Sequence, residues 1–427
     1  MNADSAALPR NGNLASVLTV GLLFFIFGFV TWLNGPLITF VKLAFDLDDI
    51  NAFLVPMAFY LSYFFLALPA SWILKRTGMK KGMSLGLFVM AVGALAFGQF
   101  ATMRIYPGAL TGLFVIGAGL SLLQTAVNPY ISILGPIESA AQRIAVMGIC
   151  NKTAGILAPL VIGALVLQGI GDLAAKVALA DPTLKQTLLN EFAAKIHLPY
   201  LAMAALLALL AVWVLRSSLP EVDASEANRE DGAAQGSPRT VFQYPHLWLG
   251  VLCLFVYVGV EVMAGDAIGT YGQGFQLPLD ETKFFTAFTL TAMLLGYLLG
   301  LLTIPRFISQ ERYLAVSAIL GVLFTLGAFV TKGYVSVGFV AALGFANAMM
   351  WPAIFPLAIR GLGRFTELGS AFLIMGIAGG AVIPQLFAHL KSHYDFQAVF
   401  CALMLPCYLY IFYYAMRGYA VGLRRHA

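Results

Sequence analysis

The 427-residue chain is 60% hydrophobic, has only 11% charged residues and shows a mean hydropathy of +0.86. That much apolar surface does not fit inside one water-soluble core, so the composition excludes an ordinary globular domain and predicts a membrane protein. The net charge of +5 is scattered through the connections between apolar runs, and no nucleic-acid-binding patch is predicted from it.

The polar opening MNADSAALPRNGNLAS runs into an apolar segment that is too long for a cleavable signal peptide and lacks its small-residue exit. A retained first span is predicted. Runs of about 20 apolar residues, enough to cross the hydrocarbon as a helix, recur to the end of the chain. Twelve are predicted, over 16–40, 51–74, 82–101, 107–134, 144–168, 198–216, 246–272, 284–305, 313–331, 335–359, 368–390 and 397–416. The expected fold class is therefore an all-α membrane protein. Of the 25 Lys and Arg residues, sixteen fall on the side that holds both termini, eight on the opposite side, and Lys152 lies inside a span. The positive-inside rule then places both termini in the cytoplasm.

The loop from Gly169 to His197 mixes Leu, Ala and Lys at helical spacing and predicts a short amphipathic helix on the membrane surface. Residues 217–240 are rich in Glu, Asp, Ser, Ala and Gly and read as a flexible connection at the middle of the chain. The expected organisation is a six-helix half over 1–216, a cytoplasmic linker over 217–243 and a second six-helix half over 244–427. A weak repeat supports the division. NPYISILG near the end of span 4 is echoed by WPAIFPLAIRG in span 10, and MGICNKTAGILAP in span 5 by MGIAGGAVIP in span 11. Two six-span halves related by a parallel repeat follow the plan of the major facilitator superfamily, whose members bind substrate between the halves near the bilayer midplane.

Ionisable residues inside spans carry a functional expectation of their own. Span 7 contains two, Glu261 and Asp266, about 7 Å apart along a regular helix and about 140° apart around it, so they do not share a face. Tyr257 lies one turn before Glu261, whereas Asp266, Thr270 and Gln273 form a second polar stripe. Gly259, Gly265, Gly269 and Gly272 permit an interruption here. Lys152 in span 5 sits about 12 Å from the near membrane edge, and one of the two acids is its expected partner. Such a pair reads either as a proton or cation switch or as a static bridge between helices. A proton needs one carboxylate; sodium needs several oxygens, for which Glu261, Asp266, Thr270 and freed backbone carbonyls are the candidates.

Uncharged amides are more numerous: Asn34 in span 1, Gln124 and Asn128 in span 4, Asn151 in span 5, Asn347 in span 10 and Gln385 in span 11. Amides offer both donors and acceptors, as sugar hydroxyls require. The aromatics Trp32, Tyr60, Tyr63, Tyr130, Tyr257, Tyr297 and Trp351 are candidates to stack on a pyranose ring. Apart from Arg216 at the very end of span 6, no Arg lies within a span, so the set suits a neutral polyol rather than an anion. The four cysteines, Cys150, Cys253, Cys401 and Cys407, fall in apolar spans without a CxxC spacing, and neither a disulfide framework, a metal site nor a bound cofactor is predicted. The scattered histidines form no catalytic cluster, so an enzyme is not expected.

The segments FGFVTWLNGPLI, GLSLLQTAVNPYISILGP with SAAQRIAVMGICNKTAG, and WPAIFPLAIRGLGRFTELGSAFLIMGIAGG resemble the fucose-galactose-proton symporters of the major facilitator superfamily. That family includes L-fucose permeases, bacterial glucose/galactose transporters and N-acetylglucosamine permeases, and the chain is similar to the last two groups more than to the first. The resemblance implies a monomeric importer of a neutral hexose-type sugar (glucose, galactose or N-acetylglucosamine) in a bacterial-type inner membrane, coupled to a proton or sodium. The L-fucose permeases of that family carry an Asp after the Asn that matches Asn34 and a Glu in span 4; here those positions read Gly35 and Gln124. The sugar-binding Asn of span 5 is retained as Asn151, beside Gly148 and Lys152 where Gln and Ser are expected. With the first-half acids gone, Glu261 and Asp266 become the expected coupling groups. Two further readings are a multidrug or sugar exporter of the same fold and a membrane sugar sensor without transport.

Overall fold

A computed structural model describes residues 10–133, 140–217 and 240–423. Most of the predicted linker lies outside the described residues. Among the described residues the secondary structure is helical throughout, with twelve stretches long and apolar enough to cross a membrane. Span 1 comprises Arg10–Thr31 and Asn34–Ala44, span 2 Leu54–Thr77, span 3 Met79–Thr102, span 4 Tyr106–Ile133, span 5 Ala140–Leu165 and span 6 His197–Arg216. In the second set, span 7 comprises Pro245–Gly265 and Ile268–Gly274, span 8 Phe285–Thr303, span 9 Gln310–Val330 and span 10 Gly333–Asn347 with Met350–Ile359. Span 11 follows as Thr366–Met375 and Gly379–Leu390, and span 12 as Phe396–Met416. Large apolar side chains such as Phe65, Leu209 and Leu302 are more than half exposed, as lipid-facing residues of a multi-pass membrane protein are.

Within the first half, span 3 packs on spans 4 and 6, span 2 on span 4, and span 1 on span 5. Within the second, span 9 packs on spans 10 and 12, span 8 on span 10, and span 7 on span 11. The most extensive contacts between the halves are two pairs that the repeat relates to each other, span 5 with span 8 and span 2 with span 11. Hydrocarbon gives little drive for helix association, so close approach at small residues supplies the packing. A Cβ built on Gly28 would stand 2.1 Å from the Asn151 carbonyl oxygen, and one on Gly379 would stand 1.7 Å from that of Phe255.

Four spans are broken. The interruption expected in span 7 falls at Asp266 and Ala267. Spans 1, 10 and 11, read from the sequence as unbroken, are also divided, at Trp32–Leu33, at Ala348–Met349 and through a 3₁₀ turn over Gly376–Ala378. In the first two cases a proline is responsible. Pro36 and Pro352 lie four residues after Trp32 and Ala348, where the ring opposes the carbonyl and no N–H is available to bond it. The Asn34 side chain then serves the break in span 1 by donating Nδ2 to the Thr31 carbonyl at 3.0 Å.

The loop between spans 5 and 6 holds two helices, Ile170–Leu179 and Pro182–Ala194, rather than the single surface helix expected. Asp181 caps the second, its carboxylate accepting from the N–H groups of Thr183 and Leu184 at 2.9 Å each. That helix buries Leu189 and Phe192, the latter 5.2 Å from the Phe40 ring of span 1, so it is seated on protein.

The halves are also tied together on the face opposite the termini. Asp49 pairs with Lys42 at 2.5 Å and, across the halves, with Lys391. Lys283 donates to Asp280 and to the Leu167 carbonyl, both at 2.8 Å, while Asp280 accepts from the Gly171 N–H at 3.0 Å. The Gln385 amide donates to the Ile50 carbonyl at 3.1 Å.

The tightness of the glycine contacts is testable. Gly379→Ala is expected to cost about 1–3 kcal/mol through overpacking and to lower the melting temperature of the detergent-solubilised protein. Gly338→Ala, whose new methyl meets nothing within 4 Å, serves as the control and melts no lower than the parent. Equal melting of the two variants would contradict this packing.

Candidate functional site

A cavity of about 100 Å³ lies between the halves. Its walls come from spans 1, 2, 4 and 5 on one side and spans 7, 8, 10 and 11 on the other. Its end toward the face opposite the termini is formed by Trp32, Lys152 and Glu261, and it extends from there toward the terminal face past Phe27, Gln124, Gly148, Tyr297 and Trp351.

Trp32 stands in the break of span 1, freed from the helix by Pro36. Its indole Nε1 donates to the Asn151 Oδ1 at 3.2 Å, and the Asn151 Nδ2 reaches the Phe24 carbonyl at 3.4 Å. The ring is held between two glycines. A Cβ on Gly155 of span 5 would lie 2.5 Å from its Cδ1, and one on Gly265 of span 7 would lie 2.3 Å from its Cζ3. The Lys152 ammonium lies 4.3 Å from the Trp32 ring centroid, within cation–π range.

The same ammonium pairs with the Glu261 Oε1 at 2.9 Å. This answers the question left by the sequence, because Glu261 rather than Asp266 is the partner of Lys152. The two side chains are 7% and 12% exposed, so each charge depends on the other for its compensation. They are the only charged residues that line the cavity among the described residues, which leaves the lining neutral overall. Around them are Tyr60, Tyr63, Tyr257 and Tyr297, with the amides Gln124, Asn128 and Asn151. The Gln124 Nε2 donates to the Tyr63 hydroxyl at 3.1 Å, and Trp351 stacks near Phe355 at 5.9 Å.

Of the residues singled out by sequence, Gln124, Asn128, Asn151, Lys152, Tyr257, Glu261 and Trp351, with the aromatics Trp32, Tyr60, Tyr63 and Tyr297, are thus brought to one cavity. Tyr130 is not, nor are five of the polar candidates. Asn34 serves the span 1 break; Asn347 accepts from the Tyr408 hydroxyl at 2.9 Å at the span 10 break; Gln385 joins the closed face. Thr270 is buried on the short segment of span 7. Asp266 is 2% exposed and lies beyond the cavity end, where its Oδ2 accepts from the Tyr60 hydroxyl at 3.2 Å. Phe24, Phe27, Thr31 and Ile377 line the cavity without having been proposed. Phe27 and Thr31 follow Phe24 at helical spacing on the face that continues to Trp32, and that periodicity was the available signal.

Fold and cavity together define a polytopic helical membrane protein whose two halves share one central, neutral, polar and aromatic chamber. A sequence profile of the Major Facilitator Superfamily matches residues 20–384, and the chain belongs to that superfamily. It is 32% identical to the glucose/galactose transporter of Brucella abortus biovar 1 (strain 9-941) over 426 residues, covering 98% of this chain and 97% of the relative. It is 28% identical to the L-fucose-proton symporter of Escherichia coli (strain K12) over 379 residues, or 87% and 85% of the two chains. Among solved structures, the transporter FucP in its outward conformation superposes with a TM-score of 0.75 at 24% identity, covering 95% of this chain and 99% of that one.

The Lys152–Glu261 pair yields a stability prediction. Lys152→Met leaves a buried carboxylate without a counter-charge and is expected to destabilise by about 3–5 kcal/mol. Adding Glu261→Gln restores most of the loss, because the amide needs no cation. Melting curves of the two single variants and the double variant in detergent measure the coupling; strictly additive losses would mean that the pair does not carry its charges jointly.

Proposed function

We propose that this protein is a proton-coupled symporter that imports a neutral hexose by alternating access across a bacterial-type cytoplasmic membrane. The observation that carries the reading is the chemistry of the cavity. Tyrosines, amides and two tryptophans surround a single internally compensated ion pair, which matches the hydroxyls and apolar face of a pyranose and offers no net charge to an ion. The relatives named glucose/galactose transporter and L-fucose-proton symporter support the same substrate class. The basic-residue bias supports cytoplasmic termini, and the complete cavity within one chain supports function as a monomer.

The oxygen atoms at the span 7 break favour a proton over sodium. Carbonyls freed there are the natural ligands for a sodium ion, but the Ala264 carbonyl accepts from the Thr289 hydroxyl at 2.7 Å and the Gly265 carbonyl from the Thr286 hydroxyl at 2.8 Å. Glu261 is committed to Lys152, and Thr270 lies on the other side of the break. Single carboxylates remain, and a proton needs no more.

Uptake of labelled glucose, galactose and N-acetylglucosamine into proteoliposomes, with pH and sodium gradients imposed separately, tests the reading. Glucose or galactose is expected to accumulate against its gradient when the outside is acidic, and sodium alone is expected to do nothing. N-acetylglucosamine uptake decides whether the pocket accepts an acetamido group. Accumulation only in the outward direction would identify an exporter, sugar binding without flux a sensor, and no interaction with any of the three sugars would overturn the substrate class.

A further inference from the structure

Glu261 and Asp266 are both carboxylates of span 7, yet their surroundings differ in the one respect that decides which of them exchanges a proton. Glu261 faces the Lys152 ammonium at 2.9 Å in a site where the lysine is 7% exposed. Protonating Glu261 would strand a buried ammonium without its counter-charge. Asp266 has no such partner. Among the described residues no Lys, Arg or His pairs with it. The Tyr60 hydroxyl of span 2 reaches Oδ2 at 3.2 Å, and Oδ1 meets no side-chain donor.

The other elements packed around Asp266 supply little more. Span 1 presents Gly35, whose backbone N–H faces the Asp266 carboxyl as a neutral donor and where a Cβ would lie 3.4 Å from Oδ1, and span 8 presents the Thr286 hydroxyl, already donated to the Gly265 carbonyl. The charged groups acting from a distance are Glu261, of like sign, and Lys152, already compensated. An ionised carboxylate 2% exposed in that setting lacks a counter-charge, whereas the neutral acid fits it.

We infer that Asp266 is the residue that carries the proton, that the Lys152–Glu261 pair belongs to sugar recognition, and that Trp32 and Tyr60 link the two sites. This assignment rests on the symport reading above. The link is mechanical. Trp32 touches the cavity through Asn151 and Lys152, and its ring rests directly on Gly265, the residue before Asp266. Tyr60 lines the cavity and holds the Asp266 carboxyl by its hydroxyl. A sugar that stacks on Trp32 or takes a hydrogen bond from Tyr60 therefore acts on the contacts that seal Asp266 from the cavity. The chemical step is a proton transfer between water and one Asp266 carboxyl oxygen, with water on one face as donor and water on the other as acceptor; no other covalent bond changes.

Transport assays on Asp266→Asn, Glu261→Gln and the wild type test the assignment. Asp266→Asn is expected to lose accumulation driven by a pH gradient, its internal sugar only equilibrating with the outside, while sugar counterflow continues and no longer responds to pH. Glu261→Gln is expected to raise KM for sugar while its residual uptake still moves protons. Uphill accumulation by Asp266→Asn equal to wild type would overturn the assignment. Should that variant not fold, infrared difference spectroscopy of the wild-type protein with carboxyl-labelled aspartate replaces it. A protonated-carboxyl band that shifts with the aspartate label, and that disappears at alkaline pH, supports the assignment; a protonated band that ignores the aspartate label overturns it. Absence of any hexose uptake by the wild type would instead count against the symport reading, and the sugar-free infrared titration separates that failure from this one.

Discussion

An ammonium on span 5 and a carboxylate on span 7 can remain charged within the hydrocarbon only by meeting each other, and much of the centre of this protein is arranged around that requirement. Lys152 and Glu261 come from opposite halves. Their contact is therefore both a local compensation of charge and a tether between the two halves. A tether made of charge differs from one made of apolar contact because its strength changes with water entry: each polar molecule admitted to the cavity weakens the attraction by raising the local dielectric. The pair holds the halves together most strongly when the chamber is dry.

The breaks in spans 1 and 7 set Trp32 at the end of the cavity beside that pair. Pro36 and the glycines of span 7 interrupt the two helices at neighbouring levels, so that Trp32 leaves its own helix and lies against Gly265. At these breaks the Thr31, Gly265 and Ala264 carbonyls accept from Asn34, Thr286 and Thr289, the kind of side-chain support that irregular backbone needs at membrane depth. An unbroken span 1 would keep Trp32 in a regular helix and remove its seat between Gly155 and Gly265. Local backbone geometry, dictated by one proline, thus supplies the cavity with its end wall.

The fold was legible because its signal is repeated: twelve apolar runs and a charge bias across connections specify the architecture several times over. The charged part of the site was legible for a different reason, since Lys152, Glu261 and Asp266 are conspicuous in apolar surroundings. The amides were harder to read. Gln124 and Asn151 face the cavity while Asn34, Asn347 and Gln385 satisfy backbone or tyrosine groups elsewhere, and both roles call for the same residue type at the same depth. Helix breaks were partly hidden as well. Pro36 and Pro352 interrupt their spans, yet Pro69, Pro159 and Pro406 sit inside continuous helices. A proline removes one hydrogen bond in either case; whether the helix parts depends on partners for the freed groups, and those partners come from other spans.

Position 35 shows how a loss read in the sequence becomes intelligible in three dimensions. The resemblance to L-fucose permeases implies an acid after Asn34, and the chain has glycine there. That glycine leaves room for the Asp266 carboxyl, which approaches the space beside it from span 7, while Thr286 closes the third side. A side chain at 35 would press on both groups, the Cβ lying 2.5 Å from the Thr286 Oγ1. A glycine in span 1 and an acid in span 7 are therefore sterically matched. Moving the acid to span 7 places it in the same element as Glu261, five residues away, and beside the residue on which Trp32 rests. Under the assignment inferred above, the proton-carrying Asp266 and the Glu261 of the cavity share one broken helix, and the indole of Trp32 rests on the residue between them in the chain.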